Sequence, residues 1–177
     1  LQVRQSKSQA AIHEESELWK IGGMVMITDS VKYLINDRGF LFSGLICNEL
    51  LSIKYRHQLL GKVDALIIVE WNKDLETYDP IISATANDLH CYVIQVNNRK
   101  YGDTRVRAPY KDAWRRDIAR VRGGILDYFV VVQLEVNSLR EFQSHHRSPD
   151  KPFKPTPTGY KMSPERKQIR LSTNRKK

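Results

Sequence analysis

This chain is poor in the residues that staple small proteins or bind metals. It has two cysteines and five histidines in 177 residues. Two cysteines without a repeating spacing exclude a disulfide framework and suit a reducing, cytoplasmic setting. No Cys/His grouping has zinc-ligand spacing, so no metal is expected. No Gly-rich phosphate loop of either common type is present, so no nucleotide cofactor is expected. Long apolar runs are also missing. The longest, "ALIIV" at 65–69 and "YFVVV" at 128–132, are far too short to span a bilayer, and the first residues are polar and charged rather than a signal peptide.

Acidic residues are scarce in one region. Residues 1–144 carry 19 Lys and Arg against 18 Asp and Glu, whereas residues 145–177 carry 10 against 2. Five of the seven prolines fall in that second segment. The division predicts a folded body over 1–144 and a basic, Pro-containing, disordered tail over 145–177. Inside the body, residues 99–122 form a further basic stretch with nine basic and three acidic residues. Both stretches could attract nucleic acid, the tail above all; no aromatic-rich RNA-binding signature accompanies them, so such binding would be mainly electrostatic.

What remains reads as alternating strands and helices. Strands are expected at "GMVMIT" (23–28), "VKYLIN" (31–36), "FLFSGLI" (40–46), "VDALIIV" (63–69), "CYVIQV" (91–96), "RVRAP" (105–109) and "YFVVVQLEV" (128–136). Helices are expected over 49–60, within 75–90 beginning near Asp79 with Asp79 as cap and Pro80 in the first turn, and from "SLREFQ". The order is that of an α/β fold.

The candidate nucleophile is Cys47, where an apolar strand passes into a helix. First-turn N–H groups there favour a thiolate and can hold an oxyanion, the Asn48 N–H among them. Cys91 opens an apolar run and reads as a buried core thiol. His13, His57 and His90 share no pattern and read as surface or helix-flank residues, and Trp71 reads as core.

"SKSQAAIHEE" with "GLICNE" resembles the carbon–nitrogen hydrolase (nitrilase) superfamily. The likeness continues through "GKVDALIIVEWN" and "ISATANDLHCYVIQVNNRKYGDTRV", covering residues 4–136. It implies the C-terminal part of an αββα sandwich and cysteine-dependent hydrolysis of a small non-peptide amide or nitrile. It assigns Cys47 as nucleophile, Lys7 as the triad lysine, Glu15 as the downstream glutamate, and Glu49 and Asn48 in support. Related enzymes commonly form homo-oligomers. Gln9 replaces the usual histidine after the lysine. The triad's first glutamate should lie well before Lys7, so the chain by itself is expected to be an inactive piece of a larger protein. It is also expected to expose an open apolar surface beside 41–47 and 63–69. "HCYVIQVNNRKYGDTRVRAPYK" is closest in wording to nitrilase-like domains fused to bacterial anti-phage reverse transcriptases, which would place a reverse transcriptase domain in the same polypeptide.

Overall fold

The computed structural model describes residues 4–23, 32–145 and 152–174, with side chains as far as Ile169. The strand expected at 23–28 falls almost wholly outside these residues. One six-stranded sheet runs in sequence order: β1 (Ile35–Asp37), β2 (Phe40–Ile46), β3 (Ala65–Val69), β4 (Tyr92–Val96), β5 (Gly102–Arg107) and β6 (Asp117–Arg122). β2, β3 and β4 are parallel; β1, β5 and β6 join antiparallel. Parallel neighbours need crossovers. α2 (Ile53–Gln58) links β2 to β3, and α3 (Leu75–Asp88) links β3 to β4. The flanking helices are α1 (Ile12–Lys20), α4 (Val136–His145) and α5 (Pro164–Asn174).

Alternation along the strands builds two cores. Leu45, Leu66, Ile68 and Val93 face α2 and α3, packing with Leu50, Leu59, Tyr78, Ile82 and Ala86. Their neighbours Ala65 and Tyr92 face the other way, toward Leu139, Phe142 and Phe153. Each fully buried aliphatic or aromatic side chain contributes about 1.5–3 kcal/mol. On this second face burial fades toward the carboxyl ends of the strands. Ile67 and Ile94 are half-buried, and Val69 is 53% exposed. Along β2 the same face is half-buried throughout, whereas along β3 it opens only at Ile67 and Val69.

Several elements differ from expectation. α3 starts four residues earlier than the proline suggested. Asp74, not Asp79, is its cap, accepting the Thr77 N–H at 3.1 Å. Pro80 lies inside the helix, and Asp79 instead pairs with Arg105. Residues 128–135 form no strand, and Phe129 and Val131 point outward. β6, which no expected strand covered, mixes apolar with charged residues, and Arg120 reaches Asp103 at 2.5 Å. Trp71 is exposed, whereas His90 is fully buried, with Nε2 bonded to the Lys154 carbonyl at 2.7 Å.

The segment expected to be a disordered tail packs on the body from residue 152; residues 146–151 and 175–177 lie outside the described set. Phe153, Tyr160, Met162 and Arg166 are buried. Asp64, at the foot of β3, holds two guanidiniums: Arg140 Nε at 2.7 Å and Arg166 Nη2 at 2.8 Å. Arg166 also donates to Tyr160 Oη and Gln143 Oε1, both at 2.8 Å. Gly61 allows the close approach: its φ is +72°, and a Cβ would lie 1.9 Å from the Lys161 carbonyl oxygen. Composition pointed to disorder because it counts charges; here the charge that matters is neutralised inside. No helix among the described residues is long and apolar enough to cross a membrane.

Candidate active site at the carboxyl ends of the parallel strands

Pairing in register places Ile46, Val69 and Val96 side by side on β2, β3 and β4. The next residues, Cys47, Glu70 and Asn97, therefore end three adjacent parallel strands. In open α/β sheets that edge is where ligands bind.

Cys47 begins a 3-10 turn (Cys47–Leu51) with φ +50°. A non-glycine residue in this region costs about 1–3 kcal/mol and persists only where its surroundings enforce it. Glu49 provides the enforcement. It is fully buried, and its Oε2 accepts the Ile46 N–H at 2.9 Å and pairs with the Lys32 ammonium at 2.6 Å. Its Oε1 accepts the Ser8 N–H at 2.6 Å and the Ser8 hydroxyl at 2.5 Å. Burial alone would push this carboxyl up, but Lys32 and the hydrogen bonds from Ser8 and Ile46 hold it below the usual range. The carboxylate so pins the turn that presents Cys47, which is half-buried and unpaired as a thiol.

The N-terminal segment is docked against the same turn. Gln5 donates to the Gly44 carbonyl at 2.9 Å, and Asn48 Nδ2 donates to the Ala10 carbonyl at 3.3 Å. Lys7 is thereby brought beside the Cys47–Glu49 turn. The carboxylate on its ammonium is Glu14, one residue before the glutamate that the motif selects. Glu14 also accepts the Ala11 N–H at 2.7 Å. Burial would raise it, but Lys7 and Ala11 keep it below the usual range. Glu15 lies exposed in the first turn of α1.

Behind Cys47 lie groups that motif reading missed. The buried Tyr78 hydroxyl of α3 lies near the Cys47 thiol, and burial first and then the neighbouring thiol push its pKa well up. Glu70 is buried, accepts Gln95 Nε2 at 3.1 Å through Oε2, and leaves Oε1 without a partner. Burial pushes its carboxyl up to about 7, despite Gln95 and Arg105. Gln95 Oε1 in turn accepts Arg105 Nε at 2.8 Å. Asn97 ties the edge together: its amide donates to the carbonyls of Asn72 and Gly102, both at 2.8 Å. Two signals could have found the pair: Tyr78 stands four residues before Ile82 on the inward stripe of α3, and Glu70 continues the alternation of Leu66 and Ile68.

No protein-family model matches the chain, and neither does any curated protein sequence. Solved structures do match. One is XC1258 from Xanthomonas campestris, a CN-hydrolase superfamily protein with an arsenic adduct in its active site; the TM-score is 0.63 at 13% identity, covering 80% of this chain and 55% of that one. Another is a mutant amidase of the nitrilase superfamily from Nesterenkonia AN1, with TM-score 0.48 and 9% identity, covering 58% of this chain and 42% of that one. The chain thus spans about half the length of the structures it matches. The mixed six-stranded sheet with its helices is a partial nitrilase-like α/β fold.

Proposed function

We propose that this chain supplies the nucleophile of a cysteine-dependent hydrolase acting on a small non-peptide amide or nitrile. The observation that carries the reading is Cys47 itself. A thiol in a left-handed conformation, pinned by a buried Glu49–Lys32 pair at the end of a central parallel strand, is a costly arrangement that core packing does not require.

For an amide, the Cys47 thiolate adds to the carbonyl carbon and the oxygen becomes an oxyanion. The N–H groups of the 3-10 turn, that of Asn48 among them, and the Lys7 ammonium stabilise that charge. Collapse breaks the C–N bond as the leaving nitrogen takes a proton, leaving a thioester. Water then adds to the thioester and releases the acid and the thiolate. Glu49 holds the turn rather than meeting substrate. Glu14 orients Lys7, and Glu15 is available toward substrate or water. Tyr78 donates to the thiolate.

The test is ammonia release from small amides and nitriles by the protein containing this chain. Cys47→Ala should abolish it while urea unfolding stays within about 1 kcal/mol. Equal activity in wild type and variant would refute the reading. It would favour the second one, a non-catalytic or regulatory module of a bacterial anti-phage reverse transcriptase, whose support is the wording of residues 90–111.

A further inference from the structure

The basic stretch at 99–122 does not present nine equivalent charges. Arg105 is buried against Asp79 and Asp103; Arg107 pairs with Asp117, Arg120 with Asp103, and Arg99 with Asp127 at 2.7 Å. These hold the sheet together. Around Tyr110 the pattern changes. Residues 109–111 pair antiparallel with 152–154: the Lys111 N–H donates to the Pro152 carbonyl, and the Lys154 N–H to the Pro109 carbonyl, both at 2.8 Å. Tyr110 and Phe153, opposite each other, turn inward with ring centroids 5.1 Å apart. Alternation therefore turns Lys111 and Lys154 away from the core.

Arg116 joins them. Its Nε and Nη2 donate to the carbonyls of Tyr110 and Lys111 at 3.1 and 2.9 Å, and no carboxylate neutralises it among the described residues. Neither Lys111 nor Lys154 has a carboxylate partner among the described residues. Burial and then the nearby charges of Arg116 and Arg107 hold the Lys154 ammonium below the usual lysine value. Beside this cluster Trp114 is 83% exposed. The Arg115 guanidinium lies 5.1 Å from the Tyr110 centroid and 5.7 Å from that of Trp114, with the exposed Asp112 carboxylate 4.0 Å away.

We propose that residues 110–116 and 152–154 form a binding site for single-stranded nucleic acid, Trp114 stacking on a base and Lys111, Arg116 and Lys154 taking successive phosphates. An acidic peptide would satisfy the charges but has no use for a bare indole lying flush with a guanidinium. A duplex offers no unstacked base. A single strand offers both π-faces and phosphates. The site is separate from Cys47 and does not rest on hydrolase activity.

Fluorescence anisotropy with a labelled oligothymidylate of about 12 nucleotides, within the usual span of single-strand sites, tests it on the full chain. Trp114→Ala should raise Kd roughly 5- to 150-fold, the loss expected for one stacked base. Arg116→Gln with Lys154→Gln should lower the slope of log K against log salt by about 1.4, two phosphates at about 0.7 each. Removing residues 175–177, which lie outside the described residues, should change Kd less than twofold. Continued protection of Cys91 from alkylation reports that each variant is folded. Wild-type affinity in the Trp114 variant overturns the proposal. So does an unchanged salt slope in the double variant, binding lost with residues 175–177 alone, or an equal preference for duplex or polyglutamate.

Discussion

Glu70 makes stability depend on pH in a direction opposite to that of most carboxylates. Its carboxyl moves from an ordinary value of 4.5 to about 7 because it is buried at the end of β3 with one oxygen unpartnered. Between those pH values the folded protein holds a proton that the unfolded chain has released. Stability therefore falls as pH rises through this window and levels off above about 7. At about 1.4 kcal/mol per pH unit the full loss is about 3 kcal/mol. His90 works in the opposite sense. Burial holds it below its ordinary value of 6.5, so the unfolded chain takes up a proton first and stability is lost as pH falls through that range. Glu49, held low, adds a rise in stability with pH that is complete about one unit above its ordinary value of 4.5 and is common to both proteins compared below. The raw curve is thus a sum, and Glu70→Gln isolates one contribution. The amide keeps the volume, and its carbonyl can still accept from Gln95. Urea unfolding of both proteins from about pH 4.5 to 8 should show the wild type losing about 3 kcal/mol relative to the variant. Parallel curves would mean that Glu70 is solvated, and the buried network behind Cys47 would be misdescribed.

Two further perturbations test other parts of the structure. Iodoacetamide at pH 8 should label Cys47 and spare Cys91, whose thiol is fully buried and pushed up to about 12; mass spectrometry of the native protein should find one adduct in wild type and none in Cys47→Ala. Asp64→Ala strands the buried Arg140 and Arg166 and should cost about 3–5 kcal/mol, lowering Tm by about 6–20 °C, whereas Arg166→Met, which leaves Asp64 paired with Arg140, should cost clearly less by the same melts.

The parallel centre of the sheet was legible because its residues obey simple rules. "FLFSGLI", "ALIIV" and "CYVIQV" are short apolar runs separated by helix-length segments, and each became a strand within a residue or two. Local reading failed where long-range pairing decides. "YFVVVQLEV" has the composition of a strand, but β5 is already bordered by β6, and residues 128–131 run outside the sheet with their side chains largely exposed. The tail failed for a related reason. Arg166 reads as a solvated charge until Asp64, 102 residues away, is placed beside it.

The site divides along the same line. Cys47 could be picked out because a strand-to-helix junction is local, and Glu49 because it lies two residues on. Lys32 could not, since nothing near "VKYL" says that its ammonium closes on Glu49 at 2.6 Å. This changes what Glu49 is for. A carboxylate two residues after a candidate nucleophile invites a role in proton transfer, but one that takes three hydrogen bonds and a buried ammonium has little freedom to exchange a proton. Its work is geometric, offsetting the cost of the left-handed Cys47. The carboxyl behind the thiol that changes protonation near neutral pH is Glu70, at the end of the neighbouring strand. The surroundings of Cys47 are therefore set as much by the ends of β3 and α3, which the fold brings to it, as by the residues beside it in the sequence.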